Sequence, residues 1–166
     1  MAKFLIDGGY PLEGEIRVHG AKNAVLPILA ATVLNGGKNV IHDCPNLKDV
    51  QASITILEYL GCKIHREGAT LYVDSSGAVN EEIPEQLMRE MRSSVIFLGA
   101  IISRFGRAVT SMPGGCELGP RPIDLHLKAF RQLGIDITEE HGYITCQTDN
   151  LRAANIHLDF PSVGAT

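Results

Sequence analysis

The sequence contains no long apolar run, no excess of basic residues and no paired-cysteine motif. Its longest apolar stretch, residues 95–102, is far shorter than the roughly 20 residues that a membrane-spanning helix needs. The formal net charge of −4 argues against a general nucleic-acid surface, which normally requires a basic excess. Asp7 lies where a signal peptide would still be apolar, so we do not expect export.

The four cysteines show no CxxC pair and no metal-ligand spacing with the six histidines. Cys44, Cys62 and Cys146 stand among apolar or strand-like residues, where a free cysteine behaves as a small hydrophobic residue. We therefore predict that these three are buried and unpaired, as in a reducing cytoplasm. The apolar content of 45% and the charged content of 20% predict an ordinary globular domain.

The chain repeats itself at an interval of about 70 residues. Residues 22–30 align with residues 92–100 at an offset of 70, and residues 60–64 align with residues 133–137 at an offset of 73. Each copy predicts a helix, a strand, a second helix and two short strands, so the fold class is α/β. A third copy begins at Ser162, and we expect a fragment or a chain that needs a partner, because an interrupted repeat exposes an apolar edge.

The sequence of the first copy predicts where its helices and strands lie. Residues 25–34 are apolar except for Thr32, which predicts a helix buried on all sides, with Pro27 in its first turn. Residues 47–60 form an amphipathic helix that ends at Gly61. The other predicted elements are strands 40–42, 62–65 and 70–73 in the first copy, and helix 93–102, strand 108–111, helix 122–133 and strands 135–138 and 143–147 in the second.

One loop of the second copy carries the most unusual composition. Pro45 and Pro113 align at an offset of 68, so the later offset of 73 means that five extra residues follow Pro113. Residues 113–124 hold three glycines, which let a loop fold tightly, together with the Cys116 thiol and Arg121. Pro122 suits the first position of a helix, whose start favours negative charge. The loop therefore predicts chemistry on an anion.

Three cations precede or begin predicted helices. Lys22 and Arg92 share a repeat position at the start of the buried helices, and Arg121 stands before the helix that follows the loop. Helix starts expose unpaired N–H groups, so this pattern predicts a phosphate or carboxylate site. In the alternative interpretation each cation pairs with a surface acid, and Asp124 serves only the dipole of its helix.

Four motifs resemble the bacterial UDP-N-acetylglucosamine 1-carboxyvinyltransferases of the enolpyruvyl transferase family. They are residues 20–24, 113–116, 119–126 and 162–166, and the resemblance covers the whole chain. It implies an inside-out α/β barrel of two domains, each built from three repeats around buried helices. Residues 1–21 would belong to the second, mostly absent domain, and residues 22–166 would form two repeats and the start of a third.

The resemblance also implies an activity and the residues that carry it. The enolpyruvyl group of phosphoenolpyruvate would pass to the 3-hydroxyl of UDP-N-acetylglucosamine with release of phosphate, with no cofactor and no metal. Lys22, Asn23 and Arg121 would bind phosphoenolpyruvate, and Cys116 would be the proton donor, the site of a covalent adduct and the target of fosfomycin. The residues implied to line the UDP-sugar site are Arg92, Arg121, Pro122, Ile123, Asp124, Leu125, Ser162, Val163 and Gly164.

Two features of the sequence limit the activity that the resemblance implies for this chain. Phe160 stands near Ser162 where some family members carry a lysine, which removes an expected charge contact with the nucleotide. The family's remaining catalytic groups lie beyond Thr166, so the chain alone should be inactive and should need the C-terminal part of the enzyme. Three alternatives stay open: a 3-phosphoshikimate 1-carboxyvinyltransferase-like enzyme, an RNA-processing cyclase, which the acidic charge disfavours, and a non-catalytic binding module.

Overall fold

The computed structural model describes residues 3–91, 94–111, 123–162 and 164–165. The helices in this part of the chain are α1 (Lys22–Ala31), α2 (Lys48–Tyr59), α3 (Glu85–Glu90), α4 (Val95–Phe105) and α5 (Asp124–Gln132). The strands are β1 (Lys38–Ile41), β2 (Lys63–Glu67), β3 (Thr70–Asp74), β4 (Glu82–Ile83), β5 (Arg107–Ser111), β6 (Asp136–Glu140) and β7 (Tyr143–Gln147).

The two copies form two open sheets with the same strand order. The first sheet has the order β1-β3-β2, and the second has the order β4-β5-β7-β6, so β5, β7 and β6 correspond to β1, β3 and β2. The pairs β1-β3, β2-β3, β5-β7 and β6-β7 are antiparallel, with Ile41 opposite Leu71 in one sheet and Thr110 opposite Ile144 in the other. The order of helices and strands in each copy is the predicted one, and the fold is α/β.

The second sheet carries one strand that the sequence did not predict. Strand β4 has only two residues and pairs in parallel with β5, and the short helix α3 follows it directly. A two-residue strand shows no alternation of polar and apolar residues, so periodicity cannot detect it. Residues 3–20 contain no helix or strand and are almost entirely exposed.

Much of the core lies between α1 and the two helices that it contacts, α2 and α4. Helix α1 packs against both of the other helices, and its Val25, Leu26 and Leu29 are buried. The prediction that this helix is buried on all sides is wrong, because Ile28 is 49% exposed. The neighbouring helices in the described part of the chain cover one side of α1 and leave the opposite side open.

The position of Pro27 was also predicted wrongly. Helix α1 begins at Lys22, three residues before the predicted start, so Pro27 lies in the second turn and not in the first. The helix begins there because Ala21 has an extended backbone and its carbonyl accepts from the N–H of Val25. Since proline has no N–H, the carbonyl of Asn23 lacks its usual helical hydrogen bond.

The amphipathic helices end as predicted. Helix α2 buries Val50, Ile54 and Leu57 and ends just before Gly61, which has a φ of 103°. Helix α5 ends in the same way before Gly134, which has a φ of 84°. A glycine at this position adopts the positive φ that closes many helices. Together with the hairpins β2-β3 and β6-β7, these endings give the two copies the same local structure.

No helix in the described ranges is both long enough and apolar enough to span a bilayer. Helix α5 starts at Asp124 and not at the predicted Pro122. Ile123 precedes it as the N-cap residue, and Pro122 itself lies outside the described residues.

Candidate functional site

Lys22 is the first residue of α1 and forms an ion pair with the start of α2. Its Nζ lies 2.8 Å from Oδ2 of Asp49, which is in the first turn of α2. The Lys22 side chain is about half exposed, at 48%. The alternative that a predicted cation pairs with an acid is therefore observed for Lys22. Exposed pairs of this kind are weak, so the ammonium group can still bind an added anion.

Asn23 follows Lys22 and is exposed. Its amide makes no hydrogen bond to any residue that the structure describes, so it is free to bind a ligand. The start of α1 has no side-chain cap, which leaves N–H groups available there. The other described helices also lack side-chain caps, so this feature alone does not distinguish α1.

The segment that leads into α1 runs beside the loop that follows β1. A side chain at Gly20 would collide with the carbonyl oxygen of Asp43, so the two backbones are in direct contact. Arg17 pairs with the Asp43 carboxylate at 3.3 Å. A cavity of about 340 Å³ lies beside this contact, and its lining includes His19 and Arg66 but none of the predicted site residues.

The start of α5 presents one predicted site residue to solvent. Asp124 is exposed, whereas Ile123 and Leu125 are buried. The side chains of these two apolar residues face the interior, and only their backbone groups are available to a ligand. Asp124 lies in the first turn, where its charge also interacts favourably with the helix dipole.

The last part of the chain runs back along α5. The Arg152 N–H donates to the Leu133 carbonyl at 2.9 Å, beyond the end of the helix. Further along, Nζ of Lys128 lies 2.6 Å from Oδ1 of Asp159. These contacts show that residues 152–159 approach the helix from its C-terminal end toward its N-terminal end.

A third contact completes this path at the start of α5. Nε2 of His126 lies 2.8 Å from the carbonyl oxygen of Gly164. Gly164 is a predicted UDP-sugar residue, and His126 is in the same first turn as Asp124 and Leu125. The structure therefore brings together two segments that the sequence linked only through a resemblance. Ser162 lies on the same segment, two residues before Gly164.

Five of the predicted site residues lie outside the described residues. They are Arg92, Cys116, Arg121, Pro122 and Val163. Of the described residues near the predicted loop, Ser111 is the buried last residue of β5 and Ile123 immediately precedes α5. Ser94 is buried on the α4 side, where its Oγ donates to the Met88 carbonyl at 3.1 Å.

Two residues of this region were missed by the sequence analysis. Asp49 looked like an ordinary acid in the first turn of an amphipathic helix, and His126 looked like a surface histidine. Their partners, Lys22 and Gly164, are 27 and 38 residues away in the chain. The one available signal was that His126 falls inside a quoted motif, residues 119–126.

The other three cysteines are unsuited to chemistry. Cys44, Cys62 and Cys146 are buried and unpaired, which confirms the prediction. Burial raises the pKa of Cys62 to about 11, and the nearby Arg104 opposes this rise only in part. Burial likewise raises the pKa of Cys146 to about 11. At neutral pH both thiols stay protonated and inaccessible.

The comparisons with known proteins agree with the motifs. UDP-N-acetylglucosamine 1-carboxyvinyltransferase 2 of Caldanaerobacter subterraneus subsp. tengcongensis is 55% identical over 166 residues, which are all of this chain and 40% of that protein. UDP-N-acetylglucosamine 1-carboxyvinyltransferase of Desulfatibacillum aliphaticivorans is 45% identical over 166 residues, again all of this chain and 40% of that protein. The chain thus spans about 40% of the length of the curated relatives it matches. The predicted resemblance is confirmed.

The solved structures agree on the fold. The enolpyruvyl transferase NikO from Streptomyces tendae matches with a TM-score of 0.74 and 24% identity, covering 87% of this chain and 32% of that one. EPSP synthase from Acinetobacter baumannii matches with a TM-score of 0.69 and 18% identity, covering 92% of this chain and 36% of that one. A family model, EPSP synthase (3-phosphoshikimate 1-carboxyvinyltransferase), matches residues 6–166, and the chain belongs to this family.

Proposed function

We propose that the complete protein, meaning this chain within a protein of its relatives' length, is an enolpyruvyl transferase acting on UDP-N-acetylglucosamine. It transfers the enolpyruvyl group of phosphoenolpyruvate to the 3-hydroxyl of the sugar and releases phosphate, the first committed step of peptidoglycan synthesis. The observation that carries the proposal is the 55% identity, along the whole chain, with a relative of that name. The unpaired thiols favour a cytoplasmic location.

The phosphoenolpyruvate site is proposed at the starts of α1 and α5. Lys22 and Asn23 supply a half-exposed ammonium and a free amide at the start of α1. Arg121 would add a guanidinium before α5. Fixed cations and helix N–H groups stabilise the carboxylate and phosphate of the substrate without reorganisation during the reaction.

The internal repeat supports the placement of the two arginines. Lys22 contacts Asp49 in the first copy. At the repeat offsets of 70 and 73, residue 92 is equivalent to Lys22 and residue 122 is equivalent to Asp49. By the same packing, Arg92 would lie beside residues 121–124 in the second copy. Arg92 and Arg121 would therefore lie near each other at the proposed site.

Cys116 is proposed as the proton donor. Its S–H bond would give a proton to the methylene carbon of phosphoenolpyruvate, while the sugar 3-hydroxyl oxygen bonds to the adjacent carbon and gives its own proton to a base beyond Thr166. The resulting tetrahedral ketal would then expel phosphate, and the new methyl group would return a proton to the Cys116 thiolate. A thiol donor needs a pKa near the working pH, and Arg121 would lower that pKa while Glu117 would raise it.

The UDP-sugar site is proposed along the start of α5 and the segment beside it. Its lining residues would be Arg92, Arg121, Pro122, Ile123, Asp124, Leu125, Ser162, Val163 and Gly164. The contact between His126 and Gly164 supports this assignment, because it joins the two parts of the lining. Phe160 on the same segment is uncharged, so it would make no charge contact with the nucleotide.

The proposal includes the two-domain inside-out barrel of the family. Residues 1–21 would join the second domain, and residues 22–166 would supply two repeats and the start of a third of the first domain. The exposed side chains of the N-terminal segment support this, since seven large apolar residues there lack a partner in the described chain: Phe4, Leu5, Ile6, Tyr10, Leu12, Ile16 and Val18. The active site would lie between the domains, so residues 1–166 alone would be inactive.

Phosphate release tests the proposal. The complete protein should release phosphate from phosphoenolpyruvate with UDP-N-acetylglucosamine and not with shikimate 3-phosphate. Cys116→Ala should abolish fosfomycin labelling, whereas the matched control Cys44→Ala should leave labelling intact.

Turnover with shikimate 3-phosphate alone would favour the alternative transferase, and binding of UDP-N-acetylglucosamine without turnover would favour a binding module. Phosphate release by residues 1–166 alone would contradict the proposed site between two domains.

A further inference from the structure

We propose that His126 is a positioning residue that holds the UDP-sugar segment against the start of α5. This inference rests on the proposed function, because the segment matters only if it binds the nucleotide sugar. Nε2 of His126 is 2.8 Å from the carbonyl oxygen of Gly164. Gly164 lies between Ser162 and the end of the chain, on the segment that the proposal assigns to the sugar.

The chemistry of the contact fixes the orientation of the ring. A carbonyl oxygen can only accept, so Nε2 of His126 must carry the proton and donate it. In the neutral ring this leaves Nδ1 as an acceptor. Nδ1 is buried and has no hydrogen-bond partner among the described residues. The bond to Gly164 is therefore the polar contact that defines how this imidazole lies.

Two further contacts between this segment and α5 lie farther from the proposed ligand. The ion pair between Lys128 and Asp159 is largely exposed on its Asp159 side and is of a kind that contributes little. The backbone bond between Arg152 and Leu133 is at the far end of α5. Residues 153–158 between these two contacts contain no helix or strand. Fixing such a segment costs conformational entropy, which the His126 bond offsets at the end that would contact the sugar.

A selective kinetic effect follows from this arrangement. Without the bond, UDP-N-acetylglucosamine would have to fix the position of Gly164 as it binds. The KM for the UDP-sugar should then rise about 3- to 10-fold, the range expected for loss of one hydrogen bond. The KM for phosphoenolpyruvate should change less than about 2-fold, because Lys22 and Asn23 lie on a different helix.

The experiment compares His126→Ala, His126→Gln and His157→Ala in the complete protein. The glutamine amide can donate from nearly the position of Nε2, so His126→Gln should restore most of the UDP-sugar affinity that His126→Ala loses. His157 is exposed on the same segment, and His157→Ala should match the wild type. Equal KM values for His126→Ala and the wild type would overturn the inference. So would a rise in both KM values, or a His126→Gln variant no better than His126→Ala.

A spectroscopic readout separates this inference from the proposed function. Nitrogen-15 NMR of the complete protein should show a His126 ring protonated at Nε2, with a slowly exchanging proton, and this signal should be absent in His126→Gln. A ring protonated at Nδ1 alone, or one whose proton exchanges freely, would overturn the inference even if His126→Ala fails to fold. Failure of the wild-type protein to use UDP-N-acetylglucosamine would instead contradict the proposed function, whatever the NMR result.

Discussion

Nζ of Lys22 lies 2.8 Å from Oδ2 of Asp49, and this ion pair joins the first turns of α1 and α2. Lys22 is the one predicted anion-binding cation among the described residues, and the pair partly neutralises its charge. At the proposed site, a negatively charged ligand would therefore share Lys22 with a carboxylate. Asp49 would keep the ammonium group in place before the ligand arrives and would moderate its attraction afterwards.

The pair should contribute little to folding stability. In a double-mutant cycle of Lys22→Met and Asp49→Asn, we expect a coupling energy of about 0.2–1 kcal/mol, because both side chains are partly exposed. Urea unfolding of the two single variants, the double variant and the wild type measures this energy. Lys48→Met provides the control, since Lys48 is exposed at the start of α2. A coupling energy above about 2 kcal/mol would show that the pair is buried.

The described cysteines should be protected from thiol reagents in the folded protein. Cys44, Cys62 and Cys146 are all buried, so a reagent reaches them only when the structure opens. At pH 8 we expect slow modification of these three, and the proposed role of Cys116 as proton donor predicts rapid modification there. Mass spectrometry of peptides after timed labelling measures these rates. Denaturing urea should equalise the four sites, and Cys116→Ser should remove the rapid phase; rapid labelling of Cys146 in native protein would contradict the structure.

Two buried thiols should make stability fall at high pH. Burial raises the pKa of Cys62 and of Cys146 to about 11, from the ordinary value of 9.0. Between about pH 9 and pH 11 the folded protein keeps protons that the unfolded chain has lost. The unfolded state then binds fewer protons, so the free energy of unfolding decreases as the pH rises.

The slope of stability against pH tests this effect. Cys146→Ala should give a shallower decline between pH 8 and pH 11 than the wild type in urea unfolding, although its stability at neutral pH will be lower. Ile144→Val removes buried volume but no ionisable group, and its decline should parallel that of the wild type. Parallel curves for Cys146→Ala and the wild type would contradict the raised pKa.

The repeated pattern of the sequence predicts most of the regular structure. Apolar spacing identifies α2 and α5, and a glycine marks the end of each. Both hairpins follow from short strand-like runs around turns. These features are local, since each depends on residues within a few positions of one another. The start of α1 could not be predicted from apolar spacing, because Lys22 and Asn23 are polar and do not extend the apolar pattern.

The site depends on contacts that local patterns do not contain. Asp49 reaches Lys22, and His126 reaches Gly164, only after distant elements have packed. Composition and spacing identified the cations and the cysteine loop, and the resemblance assigned their roles. Neither identified which acid would pair with Lys22. The exposed side of α1 was likewise unpredictable, because burial depends on which neighbours are present and not on the helix's own residues.

The two glycines that close α2 and α5 should respond differently to the same substitution. Gly61 and Gly134 both have positive φ, which costs an alanine about 1–2 kcal/mol. At Gly61 a Cβ would also lie 2.6 Å from the carbonyl oxygen of Gly77, and this backbone atom cannot move aside cheaply. At Gly134 the nearest atoms are 3.4 Å away, on the flexible side chain of Arg152. Gly61→Ala should therefore destabilise the protein more than Gly134→Ala.

Urea unfolding measures the difference, which we expect to be at least about 1 kcal/mol, in the usual range for forced overpacking. Gly142 offers a matched control, because its φ is 81° and no atom lies within 4 Å of an added Cβ. Gly142→Ala isolates the backbone cost and should resemble Gly134→Ala. If Gly61→Ala were no worse than these two, the turn after α2 would not be packed against Gly77, and the close correspondence of the two copies would extend to the surroundings of their glycines.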